Sequence, residues 1–175
     1  MVTVPRTPSG GPSMRCSVLH LGERGLWSKY TLFEQSRRAP LIVRVPGARG
    51  NGRACTRLVE LVDILPTLGE LAELNLAANL EGTSFAPLLD DPARSWKKAA
   101  FTEFATNKVI NRAVVTDRYR YAEWPHQGEI VTELYDLRED PWETVNVVND
   151  PGFAETRAEM AALLKSGWKA ALPQR

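Results

Sequence analysis

The sequence predicts an α/β fold that ends in a small antiparallel sheet, and three observations carry this. Four strand-like runs, Ala100–Phe104, Val109–Val115, Tyr119–Trp124 and Thr132–Leu137, follow one another with turn signals between them. A helical stripe comes next, opened by Asp150-Pro151. Upstream, the short apolar run Leu41–Val45 is closed by Pro46-Gly47 and followed by helix-like spacing.

Residues 1–15 are rich in Pro, Ser, Gly and Thr. Such a segment buries too little apolar surface to offset the entropy of ordering, so a disordered tail is predicted. Leu41–Val45 reads as a buried strand and 48–53 as a loop. Thr56 can cap a helix running to about Asp63, with Leu58, Leu61, Val62 and Leu65 on one face. Pro66 ends that helix and can sit in the first turn of a second one carrying Leu68 and Leu71. Residues 75–98 are rich in loop signals.

Thr116-Asp117-Arg118 and Pro125-His126-Gln127-Gly128 are turns, which makes the four strands an antiparallel meander. In the final helix, Met160, Leu164, Trp168 and Leu172 recur every four residues, one stripe able to cover a face of the sheet. The chain divides into the tail, an α/β part over 16–98 and a sheet-and-helix part over 99–175.

Composition narrows the function classes. Of 175 residues, 43% are hydrophobic and 25% charged, with a net charge of +1. Nothing here attracts a polyanion, so no nucleic-acid partner is expected. No apolar run approaches the ~20 residues of a membrane span, and no membrane partner is expected. The N-terminus lacks the apolar core of a secretory signal, which predicts a cytoplasmic location for the chain as written. The two cysteines, Cys16 and Cys55, could form one disulfide, with free thiols the favoured reading.

Three separated blocks carry more specific information. The first runs from His20-Leu21-Gly22-Glu23 through Trp27-Ser28-Lys29 to Pro46-Gly47. The second is Leu61-Val62-Asp63-Ile64-Leu65-Pro66-Thr67-Leu68, followed by Leu80-Glu81-Gly82-Thr83-Ser84. The third is Glu133-Leu134-Tyr135-Asp136-Leu137 leading into Asp140-Pro141-Trp142-Glu143-Thr144-Val145-Asn146. In this order they resemble the C-terminal portion of formylglycine-dependent sulfatases, hydrolases of sulfate esters, in particular the iduronate-2-sulfatase and choline-sulfatase branch. The resemblance implies a partial alkaline-phosphatase-like fold, with 16–98 a remnant of the α/β domain and 99–175 the smaller C-terminal subdomain.

It also implies chemistry. Sulfate-ester hydrolysis needs a nucleophile, stabilisation of the sulfuryl oxygens and an acid for the leaving group. The family makes its formylglycine from Cys or Ser in a Cys/Ser-x-Pro-x-Arg motif, but Cys16 is followed by Ser17-Val18 and Cys55 by Thr56-Arg57. The family also binds calcium through an Asp-His pair, and the matching positions hold Cys16 and Ser17. Neither cofactor is expected to be supported by this chain alone, and metal ligands are expected to be absent. Lys29 matches the family lysine that contacts the substrate sulfate. His126, in a C-terminal loop of the kind that can line the pocket, is a substrate-binding candidate.

The chain is thus expected to be truncated and inactive in isolation, its sulfate-ester substrate and missing N-terminal half belonging to a complete enzyme. Two alternatives are a non-catalytic interaction module and a piece of a phosphonate or phosphate monoester hydrolase of the same superfamily. The remaining marked residues are read structurally. Trp27 and Phe33 are core, Arg37 and Arg38 a solvated pair, Glu34 a loop residue, Asp63 a helix or cap contact, and His20 solvated or packed.

Overall fold

A computed structural model describes residues 19–27, 29–106 and 108–173. The tail over 1–15, and with it Cys16 and Ser17, lies outside the described residues. Four helices, α1 (Glu34–Arg37), α2 (Ile64–Leu71), α3 (Ala86–Asp90) and α4 (Ala154–Ser166), accompany four strands. These are β1 (Ala100–Thr106), β2 (Val109–Val115), β3 (Tyr119–His126) and β4 (Glu129–Asp136). The described residues form two compact units, one over 38–97 and one joining 19–37 to 98–172. Residues 19–37, read from the sequence together with 38–98, cluster with the sheet.

In the 38–97 unit, Val59, Phe85, Leu88 and Trp96 form the core, with Leu41, Val43, Cys55, Ile64 and Leu89 packed on it. The strand expected over Leu41–Val45 is not formed: the segment is neither helix nor strand and joins no sheet among the described residues. It is half-buried on alternate residues rather than buried throughout. The loop after it is tied down where Gly50 N–H donates to the Leu89 carbonyl at 2.7 Å. A Cβ on Gly50 would lie 2.3 Å from that oxygen, so only glycine allows the approach.

The helix expected from Thr56 is absent. Residues 56–60 are non-helical, Leu61–Asp63 forms a 3-10 turn, and α2 follows with Pro66 in its first turn. The cause is Asp63. Its buried carboxylate accepts the Glu60 N–H at 2.9 Å, which sets the start of the helical segment there. The expected apolar face consequently splits, with Leu58 buried and Leu61, Val62 and Leu65 more than half exposed.

The same carboxylate accepts the Thr83 N–H at 2.7 Å and pairs with Lys97 at 2.8 Å. Thr67 Oγ1 donates to the Asp63 carbonyl at 2.6 Å and accepts the Phe85 N–H at 2.9 Å. The Leu-Val-Asp-Ile-Leu-Pro-Thr block therefore acts as an internal brace, as read for Asp63.

In the second unit the four strands pair in sequence order, antiparallel throughout. Thr116 closes the β2–β3 turn, its N–H donating to the Tyr119 carbonyl at 2.9 Å. The β3–β4 turn is tighter than expected. It uses Gln127 and Gly128, both at positive φ, as two-residue hairpins prefer. β3 therefore continues through Pro125 and His126. Pro125 is tolerated because the β2–β3 register stops at Glu123, so it lies beyond that ladder.

Val114, Tyr121 and Leu134 point to one face and bury Met160, Val148, Ala171 and Leu164 against it. The helical stripe is shorter than the sequence spacing suggests. Gly167, at φ 75, ends α4 after Ser166, and Trp168 falls in a following 3-10 turn. Asp150 caps the entry, accepting the Gly152 N–H at 2.8 Å. No helix among the described residues is long and apolar enough to cross a membrane.

Candidate functional site

The other face of the sheet is built differently. Register places Phe104, Ala113, Arg120, Ala122, Trp124, Glu133 and Tyr135 together on it. Two alanines at its centre leave room, and Leu32 of segment 19–37 seals against them, only 1% exposed. Phe33 packs edge-on to Tyr135, with ring centroids 6.0 Å apart. Tyr30 stacks on Phe104 at 5.9 Å.

Arg120 is fully buried in this layer. Its guanidinium lies 4.8 Å from the Phe33 ring and 4.7 Å from the Tyr135 ring, and its Nε pairs with Glu143 Oε1. Glu143 also accepts the Glu34 N–H through Oε2 at 2.9 Å. Arg24, 4.0 Å above the Phe33 ring, donates to the carbonyls of Trp142 and Glu143. The third sequence block thus reaches across to grip the first. Buried charges persist only when paired; Arg120 pairs with Glu143 through Nε and lies 3.6 Å from Glu133 Oε2 through Nη2.

The base of the segment is closed by hydroxyls. His20 Nε2 lies 2.8 Å from Thr31 Oγ1 and 2.9 Å from Ser36 Oγ, and those two oxygens are 2.5 Å apart. His20 is 1% exposed, which makes it a packed residue. Burial, and then the Arg24 charge, lower its pKa from the ordinary 6.5.

Between these fastenings Lys29 is exposed, in a bend. No acidic side chain pairs with it among the described residues. His126 is also exposed, at the end of β3 opposite Glu129. Trp27 is 77% exposed rather than core, its ring lying beside Gly22. Phe33 is half-buried. Arg37 is half-buried over Phe104 at 5.9 Å, so only Arg38 of the expected solvated pair is exposed. Burial, and then the nearby Arg120 charge, lower the pKa of Arg37.

Among the described residues no three His, Cys, Asp or Glu side chains converge to hold a metal ion. Cys55 is a half-buried free thiol that donates to the Pro92 carbonyl at 3.4 Å, and Thr56-Arg57 follow it. Its sequence context does not fit a formylglycine precursor. What these residues offer chemically is the exposed ammonium of Lys29 on a fastened loop.

Comparison with known proteins decides the family. Residues 22–169 match the family described as N-sulphoglucosamine sulphohydrolase, C-terminal. The chain belongs to the sulfatases. It is 27% identical over 157 residues to an N-acetylglucosamine-6-O-sulfatase of Bacteroides thetaiotaomicron, covering 85% of this chain and 28% of that protein. A sulfatase of Formosa agariphila is 33% identical, covering 82% and 27%.

A choline-sulfatase of Rhizobium meliloti is 31% identical, covering 81% and 27%. The chain thus spans under a third of the length of these sulfatases. Among solved structures, one in complex with its substrate D-glucosamine-2-N,6-O-disulfate superposes with a TM-score of 0.71 at 24% identity, covering 84% and 31%. The phosphonate monoester hydrolase of Agrobacterium radiobacter superposes at 0.58 with 28% identity, covering 67% and 26%. The mixed α/β fold, with its four-stranded antiparallel sheet and C-terminal helix, is that of this sulfatase and alkaline-phosphatase-like group.

The sequence missed Arg120, Glu143 and Arg24. Within the third block, Glu143 was the available signal, because it stands in the run that carries the sulfatase resemblance yet lies outside any strand or helix.

Proposed function

We propose that this sulfatase portion supplies Lys29 as the sulfate-contacting cation of a sulfate-ester hydrolase. The observation that carries the reading is the placement of Lys29, exposed on a segment pinned by His20, Phe33, Glu34 and Arg24. A compact ammonium held this way can offset sulfuryl charge and donate toward the leaving oxygen, and pinning limits the reorganisation needed when substrate arrives. The nucleophile and the calcium ligands belong to the remaining length of the enzyme, so the 175 residues by themselves do not turn over sulfate esters.

The test joins this chain to the remaining length of a matched sulfatase, of which it spans 27–28%. The complete enzyme is assayed with a panel of sulfated sugars, iduronate-2-sulfate included, beside choline sulfate. Lys29→Ala is expected to lower kcat/KM by about 10²–10³, as losing one oxyanion-stabilising donor does. Unchanged kinetics would sink the role of Lys29. His126→Ala tests the weaker candidate on the same panel, with a rise in KM expected. The likeness to a phosphonate monoester hydrolase favours a second reading, in which phosphonate or phosphate monoesters are the substrates. Higher kcat/KM on those esters than on any sulfate ester would select it.

A further inference from the structure

Segment 19–37 ends on Arg37, which is half-buried over the sheet. Its Nε and Nη2 are both buried, and among the described residues neither has an acceptor. No carboxylate pairs with Arg37 there either. These two nitrogens form the side edge of the guanidinium. Arg118 uses the same edge to grip Asp136, at 3.0 and 2.8 Å.

Arg120 presents a second fork to the same layer. Its Nε is taken by Glu143, while Nη1 and Nη2 are buried without a hydrogen-bond acceptor among the described residues. The Glu133 carboxylate stands 3.6 Å from Nη2, an ion pair too long for a hydrogen bond. Burial, and then the Arg120 charge, lower the pKa of Arg37, so the two guanidinium groups feel one another. Trp124, packed on the same face, holds another buried donor, Nε1, without an acceptor.

Like charges in a dry layer repel, and each donor left unpaired costs free energy. Buried polar groups are otherwise nearly always satisfied, by protein, by water or by an ion. Water would meet the donors and leave both charges standing, whereas an anion answers both needs.

We propose that Arg37 and Arg120 form a binding site for a small tetrahedral oxyanion of the sulfate or phosphate class. Arginine forks match the oxygens of such anions two at a time. A divalent oxyanion offsets both cations and has oxygens enough for both forks, which a halide has not. Its way in lies beside Arg37, since Arg120 is fully enclosed. Arg37 belongs to the segment that carries Lys29, and Arg120 to β3, so the bound anion ties that segment to the sheet. The site is distinct from the exposed Lys29 and does not depend on the role proposed for it.

The experiment uses the full 175-residue chain, with inorganic sulfate and inorganic phosphate as probes. Equilibrium dialysis with radiolabelled sulfate should find one anion per chain, displaced by unlabelled phosphate and not by chloride at matched ionic strength. Arg37→Leu should weaken binding about tenfold to a hundredfold, the loss expected for a hydrogen bond to a charged group. Lys29→Ala should leave binding unchanged. Glu133→Gln removes a carboxylate that competes for Arg120 and repels the ligand, so it should tighten binding. Thermal unfolding gives a second readout. Without sulfate, Arg37→Leu should melt no lower than the wild type, because it removes an uncompensated charge. Added sulfate should then raise the wild-type Tm more than the variant's. Comparing the two cancels the general stabilisation that sulfate gives by exclusion from protein surfaces.

The inference is overturned if the wild type binds neither sulfate nor phosphate, since water then meets these donors. It is equally overturned if Arg37→Leu binds as tightly as the wild type. Binding lost in Lys29→Ala but kept in Arg37→Leu would place the anion at the exposed lysine instead. No tightening in Glu133→Gln would remove Arg120 from the site, and the inference with it. Should Arg37→Leu fail to fold, Arg37→Lys decides, because it keeps the charge and loses the fork. It should bind more weakly, and binding equal to the wild type would sink the proposal.

Discussion

Glu143→Ala is the most revealing single substitution. Glu143 and Arg120 have side chains that are 0% and 1% exposed, so neither charge can turn to water when the other is lost. Removing one member of such a buried pair costs about 3–5 kcal/mol, and Arg120 then keeps only the Glu133 carboxylate, 3.6 Å from Nη2, as a partner. The Glu34 N–H also loses its acceptor. At about 2–4 °C per kcal/mol for a chain of this length, Tm should fall by roughly 6–20 °C.

The exposed pair Glu103–Arg112, with side chains 63% and 53% exposed, provides the control. There Glu103→Ala should change stability by no more than about 1 kcal/mol. Thermal unfolding followed by circular dichroism reads both, and hydrogen exchange at Glu34 reports whether segment 19–37 has come loose. A Glu143→Ala shift no larger than the Glu103→Ala shift would refute the argument, since Arg120 would then have found solvent or another partner. The double variant Arg120→Met/Glu143→Leu should recover part of the loss, because it removes the fully buried pair and leaves only Glu133, whose side chain is 19% exposed.

Other outcomes follow from the same geometry. Leu134→Ala, at a position 0% exposed under α4, should cost about 2–5 kcal/mol in urea unfolding, and a loss below ~1 kcal/mol would mean the site collapses around the gap. His20 resists protonation in the fold while the unfolded chain takes up a proton near 6.5, so its contribution is complete above that pH and declines below it. Urea midpoints compared between pH 7.5 and 5.5 should fall more for the wild type than for His20→Gln, and equal falls would remove His20 from the account. Tyr121 is pushed up to about 12, first by burial and then by the Glu123 carboxylate, so its ultraviolet titration should lag behind an ordinary tyrosine and move back in Glu123→Gln.

Much of the sheet was legible because its signals are local. Alternation marks β2 and β3, and Thr116 and Gly128 mark the turns. The element ends were less legible because single residues override the pattern. Gly167 stops α4 in the middle of an unbroken four-residue stripe, and Asp63 starts the helical segment five residues after the chain has offered Thr56. The Lys29 segment was legible as a family signal. Its fastening was not, because strand alternation treats a buried arginine as a solvent-facing one. Tyr119-Arg120-Tyr121 reads as apolar-polar-apolar, which places Arg120 on the wet side of an ordinary two-faced sheet.

That placement is also where the architecture of this unit becomes intelligible. A sheet with one apolar face needs only α4 to be stable, and the other face could have been left to water. Here segment 19–37 covers it, and the cover is held by directional contacts: Arg120 to Glu143, Glu143 to Glu34, Arg24 to two carbonyls. Apolar packing alone tolerates sliding, because its energy depends on area rather than angle. Hydrogen bonds and ion pairs fix register as well as proximity. A segment whose exposed residue is a candidate sulfate contact gains from the second kind of attachment. The two faces should therefore fail differently. Substitutions under α4 lower the stability of the whole unit, while substitutions at Glu143 or Arg24 loosen the segment first, with exchange at Glu34 rising before the sheet unfolds.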